Sequence, residues 1–420
     1  MQITAKLTMP NSKLGYTKIL FASVLLAISL NSQAQSEAFK PSEKDFQNWV
    51  TDFKKQAQDK GISKSTLDLA FKDVTLNAKV LESDKKQPEF TKTFFDYFDR
   101  AVSDSRVKKG QKKYQANKAL LDQVTKKYGV PGRFIVAFWG LETNYGGYTG
   151  NLPIIESLAT LAYDPRRSKF FTTQLMSALT ILDRGDVPLS EMKGSWAGAM
   201  GQCQFMPSNY VQYAVDGDGD GKINLWDSLP DVFYSAGNFL NHLGWQKEEN
   251  WGREVKLPKG FNYALADNKT QRSLAEWKKM GITLADGRVL PNEDMQAKLL
   301  LASDYKGPAF LVYKNFNVIK RWNNADKYAI SVGHLADRIV QLPPLSKQKP
   351  KNDKPISYAQ IKEIQTLLNS LGYDVGKPDG IAGSKTRGAL RDFQTKHKIP
   401  ADGFASVAML KALQKAQTQK

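Results

Sequence analysis

The residue best placed to do chemistry is Glu142, in the run V-P-G-R-F-I-V-A-F-W-G-L-E-T-N-Y-G-G-Y-T-G from Val130 to Gly150. An apolar stretch from Phe134 to Trp139 leads into it. Phe138 and Trp139 stand four and three residues before it, on the same helical face. Such neighbours can strip a carboxyl group of water and lift its pKa toward the range a general acid needs. Pro131 suits the first turn of a helix, where its missing N–H costs nothing. Thr-Asn-Tyr-Gly-Gly then reads as a helix stop and a loop. The spacing also fits a plain alternative, a solvated glutamate at a frayed helix end.

Three further groups could serve a ligand. Residues 194–210 read G-S-W-A-G-A-M-G-Q-C-Q-F-M-P-S-N-Y. Small residues let a backbone approach a ligand or another helix closely, and Gln202 and Gln204 can both donate to and accept from an amide or hydroxyl. By pattern alone this is a tight turn into a helix. Arg166 and Arg167 follow Pro165, and paired guanidinium forks suit sugars that bear carboxylates; a solvated helix start fits equally. Finally, D-G-D-G-D-G-K-I-N-L-W-D from Asp216 to Asp227 has the EF-hand loop pattern. It offers Asp216, Asp218, Asp220 and Asp227 as ligands, with the backbone carbonyl of Lys222 at position seven. Asp replaces the usual Glu at position twelve, so weak calcium binding is expected. A solvated Asp/Gly turn is the alternative. His242, His334 and His397 do not meet zinc-site spacing.

The elements around these residues are mainly helical. Trp49, Phe53 and Ala57 recur at helical spacing, as do Leu120, Leu121, Val124 and Tyr128. The aromatic cluster Phe90, Phe94, Phe95, Tyr97 and Phe98 reads as core or as the lining of a sugar cleft. Residues 251–313 break into short β-prone pieces divided by Gly and Pro, a small mixed insertion. Val332, Leu335 and Ile339 mark a later amphipathic helix from Tyr328. Residues 342–356 are rich in Pro and Lys and read as a semi-extended linker. Beyond it, residues 357–415 hold an apolar helical face and two turns, Pro378-Asp379-Gly380 and Ala401-Asp402-Gly403, each ahead of a helix.

The chain of 420 residues is long enough for more than one domain, and its formal charge is +18. Lys6, Lys13 and Lys18 precede an apolar run from Ile19 to Leu30, with small Ser32 and Ala34 behind it. Residues 1–34 therefore read as a secretory signal peptide, with no Cys near the cut to carry a lipid. Nothing reads as a nucleic-acid fold. The positive charge suits an anionic wall polymer or membrane surface, or simple solubility. Cys203 is the only cysteine, so no internal disulfide forms.

The glutamate run, together with G-S-W-A-G-A-M-G-Q-C-Q-F-M-P-S, the calcium-type loop and the later Trp322-Asn323…Tyr328, resembles the membrane-bound lytic transglycosylase B family over residues 42–341. Residues 357–415 resemble the type 1 peptidoglycan-binding domain, a small three-helix module. The resemblance implies a lysozyme-like, mainly α domain with a mixed insertion. Glu142 would be the catalytic acid and base. Ser195 and Gln204 would position substrate, and Asn323 and Tyr328 would close the cleft. Arg166 and Arg167 would touch sugar or peptide, and Ca2+ would be structural. The implied reaction cleaves the MurNAc-β-1,4-GlcNAc bond of peptidoglycan to a 1,6-anhydro end, in the periplasm of a Gram-negative bacterium. The implied partners are glycan strands and stem peptides, with cell-wall synthesis proteins as further candidates and no nucleic acid. A hydrolytic muramidase, a non-catalytic wall-binding protein and a calcium-dependent structural protein are the alternatives. The family commonly has Gly where Cys203 stands, and no His lies nearby in sequence to activate that thiol.

Overall fold

The structure is a computed structural model that describes residues 39–85, 92–350 and 354–419. The expected signal segment, and Phe90 of the aromatic cluster, lie outside the described residues. The glutamate helix runs Gly132–Thr143. Gly129, left-handed at φ 74°, ends the preceding helix Lys118–Tyr128. Every residue from Phe134 to Gly140 is buried, as expected of a helix that is apolar on all sides. It packs against the helices Asp104–Ala116, Lys118–Tyr128, Leu229–His242 and Asp326–Ile339. Around this centre lie Glu43–Asp59, Ile154–Tyr163, Ser168–Asp183 and shorter helices, sharing one continuous hydrophobic core.

The insertion is a five-stranded antiparallel sheet in the order Gln271–Ser273, Gln296–Leu301, Ala309–Val312, Gly252–Lys256, Thr283–Leu284. Its strands are buried on both faces by alternation. Leu300, Phe310 and Val312 face the helical core. Leu299, Leu311, Ala297 and Ala309 face a second core built on Leu274 and Trp277 of the helix Leu274–Lys279. That second core explains the change in character after residue 250: the sheet carries its own hydrophobic layer.

The start of the linker lies along the catalytic domain. Ser346 donates from its backbone N and its Oγ to the two carboxylate oxygens of Glu254, each at 2.8 Å, and Lys349 pairs with Asp96. The C-terminal module has three helices, Tyr358–Ser370, Ser384–Lys396 and Val407–Thr418, around its own core. Its two turn motifs fold alike. Gln365 Nε2 donates to Asp379 Oδ1, and Gln394 Nε2 to Asp402 Oδ1, each at 2.7 Å. In each pair the Gln Oε1 accepts the N–H of the following glycine, Gly380 or Gly403, at 2.8 Å.

Candidate active site

Glu142 sits in the last turn of the glutamate helix and is partly exposed. The hydroxyl of Tyr328 donates to its Oε1. Tyr328 lies in the first turn of Asp326–Ile339, the helix that packs along the glutamate helix. Burial, followed by the charge of Glu142, holds the phenol well above its ordinary pKa. It therefore stays a proton donor, orienting one carboxylate oxygen of Glu142. Behind the pair, the Phe138 ring lies 6.3 Å from that of Tyr328 and 4.4 Å from that of Trp322. Phe205 continues this wall, 5.3 Å from Trp322. The expected apolar neighbourhood is thus present, but Trp139 is not part of it: it turns inward, 2% exposed, onto Phe233 and Tyr145.

The loop after Glu142 is a run of three left-handed residues, Asn144, Tyr145 and Gly146, with φ of 51°, 62° and 73°. This conformation is costly for a tyrosine. Tyr145 is held there by burial and by donation from its hydroxyl to the Arg106 carbonyl at 2.8 Å. Lys109 Nζ caps the Asn144 carbonyl at 2.8 Å. Further on, Gly150 has φ 98°, and a Cβ there would come within 2.2 Å of the Gly194 backbone. The loop is thereby pressed against Ser195.

Ser195 Oγ accepts the Ala199 N–H at 2.9 Å, which fixes the small-residue turn. Gln204, left-handed at φ 49°, donates its amide to the carbonyls of Thr149 and Gly201 at 2.9 and 3.0 Å. Its Oε1 makes no hydrogen bond among the described residues. Cys203 is fully buried between these groups, and its thiol is pushed far up by burial and then by the charge of Glu142. Glu142 is the one carboxylate whose charge acts on this thiol among the described residues.

Gln202 is the residue whose role the sequence left open. Its Oε1 accepts from Trp139 Nε1 at 2.7 Å and its Nε2 donates to the Trp226 carbonyl at 2.6 Å. Its backbone N donates to Leu225 O at 2.7 Å, and its carbonyl accepts from Thr143 Oγ1 at 2.8 Å. One side chain and its own peptide units therefore tie the glutamate helix to the end of the acidic loop.

In that loop Asp216, Asp218 and Asp231 bring carboxylate oxygens within 4.8 Å of one another. Asp231 was not among the expected ligands. It is 1% exposed, sits in the first turn of Leu229–His242, and accepts from Gly217 N and Asn224 N at 2.7 and 2.6 Å. Burial, and the charges of Asp218 and Asp216, raise its pKa. Such a group of acids gains from a hard cation. Asp220 and Asp227 stand outside the cluster, the first accepting the Lys222 N–H at 2.8 Å and the second facing Asn224 Nδ2 at 3.4 Å.

Arg166 and Arg167 are held by acids. Arg166 forks onto Asp164 and reaches Asp84 at 2.7 Å, and Arg167 also meets Asp84. Both arginine side chains stay nearly half exposed. Asn323 is exposed where the helix Lys314–Trp322 ends.

Residues 45–337 match the transglycosylase SLT domain family, and residues 357–413 match a putative peptidoglycan binding domain. The chain is 34% identical over 251 residues to membrane-bound lytic murein transglycosylase B of Escherichia coli K12. That match spans 58% of this chain and 66% of the relative. SltB3 of Pseudomonas aeruginosa, solved in complex with NAG-anhNAM-pentapeptide, superposes with a TM-score of 0.85 at 44% identity, over 88% of this chain and 99% of that one. The Escherichia coli lytic transglycosylase SLT35, solved in complex with calcium, gives 0.59 at 30% identity, over 71% and 93%. Among the described residues no helix is long and apolar enough to cross a membrane. With its glutamate helix tied to the glutamine turn through Gln202, the chain belongs to the transglycosylase SLT family of lytic murein transglycosylases, which act on peptidoglycan glycan strands, and it carries a C-terminal peptidoglycan-binding domain.

Proposed function

We propose that Glu142 carries both proton transfers of a lytic cleavage between MurNAc and GlcNAc. Its carboxyl group first gives a proton to the glycosidic oxygen. The resulting carboxylate then takes the proton of the muramoyl C6 hydroxyl as that oxygen attacks C1, closing the 1,6-anhydro ring. The nucleophile belongs to the substrate, so no second carboxylate is required, unlike in ordinary glycosidases. The observation that carries this reading is the carboxylate of Glu142, oriented by Tyr328 beside the wall of Phe138 and Trp322.

In this reading the Gln204 carbonyl, Ser195 and Asn323 position the sugars, and Arg166 and Arg167 meet a carboxylate of the muropeptide. Calcium would be held by Asp216, Asp218 and Asp231 and would neutralise their repulsion, fixing the loop without entering the reaction. Export to the periplasm, through removal of residues 1–34, completes the proposal.

The test is digestion of intact sacculi by the purified protein, with products weighed. Anhydro ends are expected from the parent and none from Glu142→Gln. Reducing ends would identify a muramidase, and undiminished cutting by the variant would remove Glu142 from the mechanism.

A further inference from the structure

We propose that a cavity between the C-terminal module and the insertion binds the charged segment of a peptidoglycan stem peptide, and that Lys269 of the catalytic domain completes this site. The inference rests on the reading of the module as a wall binder and adds where, and through which groups, peptide is held.

The module is docked on the insertion by polar joints. Arg391 Nη2 donates to the Ala266 carbonyl, and Asp402 Oδ2 accepts the Tyr305 N–H, each at 2.9 Å. Asp402 is 7% exposed, and its other oxygen is already taken by Gln394 and Phe404 N. In the twin motif Asp379 is exposed. So one copy of a repeated turn has become a docking point. It brings the loop 266–270 over the helix Ser384–Lys396.

Under that loop lies a cavity of about 480 Å³, lined by Lys269, Tyr373, Asp374, Ser384, Lys385 and Asp392 with small residues between them. The volume is within the range of ligand pockets. Gly388 is part of the lining, and a Cβ there would meet nothing within 4 Å, so a peptide backbone can come close.

The charges select the ligand. Lys269, Lys385, Asp374 and Asp392 form no ion pair among the described residues. Two cations and two anions thus face one cavity unpaired. A polyanion would be repelled by the aspartates, and a neutral glycan would offer an ion pair to none of the four exposed charges. A short peptide carrying both free carboxylates and a free ammonium, as stem peptides built on a diamino acid do, meets both signs at once.

The experiment titrates a soluble stem tetrapeptide bearing a diamino acid into the full-length Glu142→Gln protein by calorimetry, beside co-sedimentation with sacculi. Saturable peptide binding is expected. Lys269→Glu, on an exposed loop, should weaken it at least tenfold, as should acetylating the peptide's free amine. Peptide affinity unchanged in Lys269→Glu, or no peptide binding by a protein that still sediments with sacculi, would overturn the composite site while the wall-binding reading stands. A protein that binds neither sacculi nor peptide would overturn both.

Discussion

Replacing Tyr328 with phenylalanine isolates the hydrogen bond from its hydroxyl to Glu142. The ring, 5% exposed and packed near Phe138, keeps its volume, and only the hydroxyl goes. A hydrogen bond to an ionised group contributes about 1.5–3 kcal/mol. Each 1.36 kcal/mol in a barrier is roughly tenfold in rate. If the phenol holds the carboxylate in its reacting orientation, kcat should fall by about 10- to 100-fold. KM should stay near the parent value, because the lost partner belongs to the acid and not to the sugar. The melting temperature should drop only slightly, since water in the cleft can replace the donor at a partly exposed oxygen. The assay is the initial rate of anhydro-end release from soluble glycan strands over a range of concentrations, with a thermal melt as control. A folded variant with kcat within twofold of the parent would refute the reasoning. A rise in KM alone would make Tyr328 a sugar contact.

Gln202→Leu should cost about 2–5 kcal/mol of stability, because it leaves Trp139 Nε1 and the Trp226 carbonyl without their partner; a denaturant midpoint like that of the parent would show the joint to be idle. Calcium at a hundred times its dissociation constant should stabilise the protein by about 2.7 kcal/mol, and Asp218→Asn should abolish the calcium-dependent rise in melting temperature. Burial, with Arg338 adding to it, holds the His334 imidazole down at about 3, against about 6.5 in the unfolded chain. Its contribution is complete above that higher value and is lost as pH falls toward the lower one. Asp337, lifted by burial to about 6, works in the opposite sense, gaining stability as pH falls through that value. The stability of the parent relative to His334→Gln should therefore drop by about 3 kcal/mol between pH 7 and 4, read from urea midpoints; a constant difference would show that His334 takes up its proton in the fold as readily as in the unfolded chain.

What could be read in advance follows from what is local. The glutamate helix was legible because a fully apolar run between Pro131 and the Asn-Tyr-Gly stop has one common outcome, a buried helix with its polar residue at the end. The insertion was legible only as β-prone fragments. Its strand order depends on Phe310 and Leu311 facing two different cores, which no spacing announces. Asp231 was missed for a related reason. It lies four residues past the acidic loop, at a helix start where an aspartate is ordinary, and only the fold turns it back beneath Asp216 and Asp218. Ser228, which caps that helix, also donates to Asp218 at 2.7 Å, so helix start and loop are one polar unit.

The same unit gives the acidic loop a route to Glu142. Gln202 touches the loop through Leu225 and Trp226, and the glutamate helix through Trp139 and Thr143, which precede and follow Glu142. A shift of the loop must either carry the glutamine turn with it or break buried hydrogen bonds, and the second is costly where water cannot replace them. The first moves Cys203 and Gln204 against Glu142. Rigidity in the loop is thus rigidity at Glu142, and for the proton donor proposed above small errors in placement are expensive in rate. A loop of clustered like charges has this mechanical reason to stand directly after the glutamine turn.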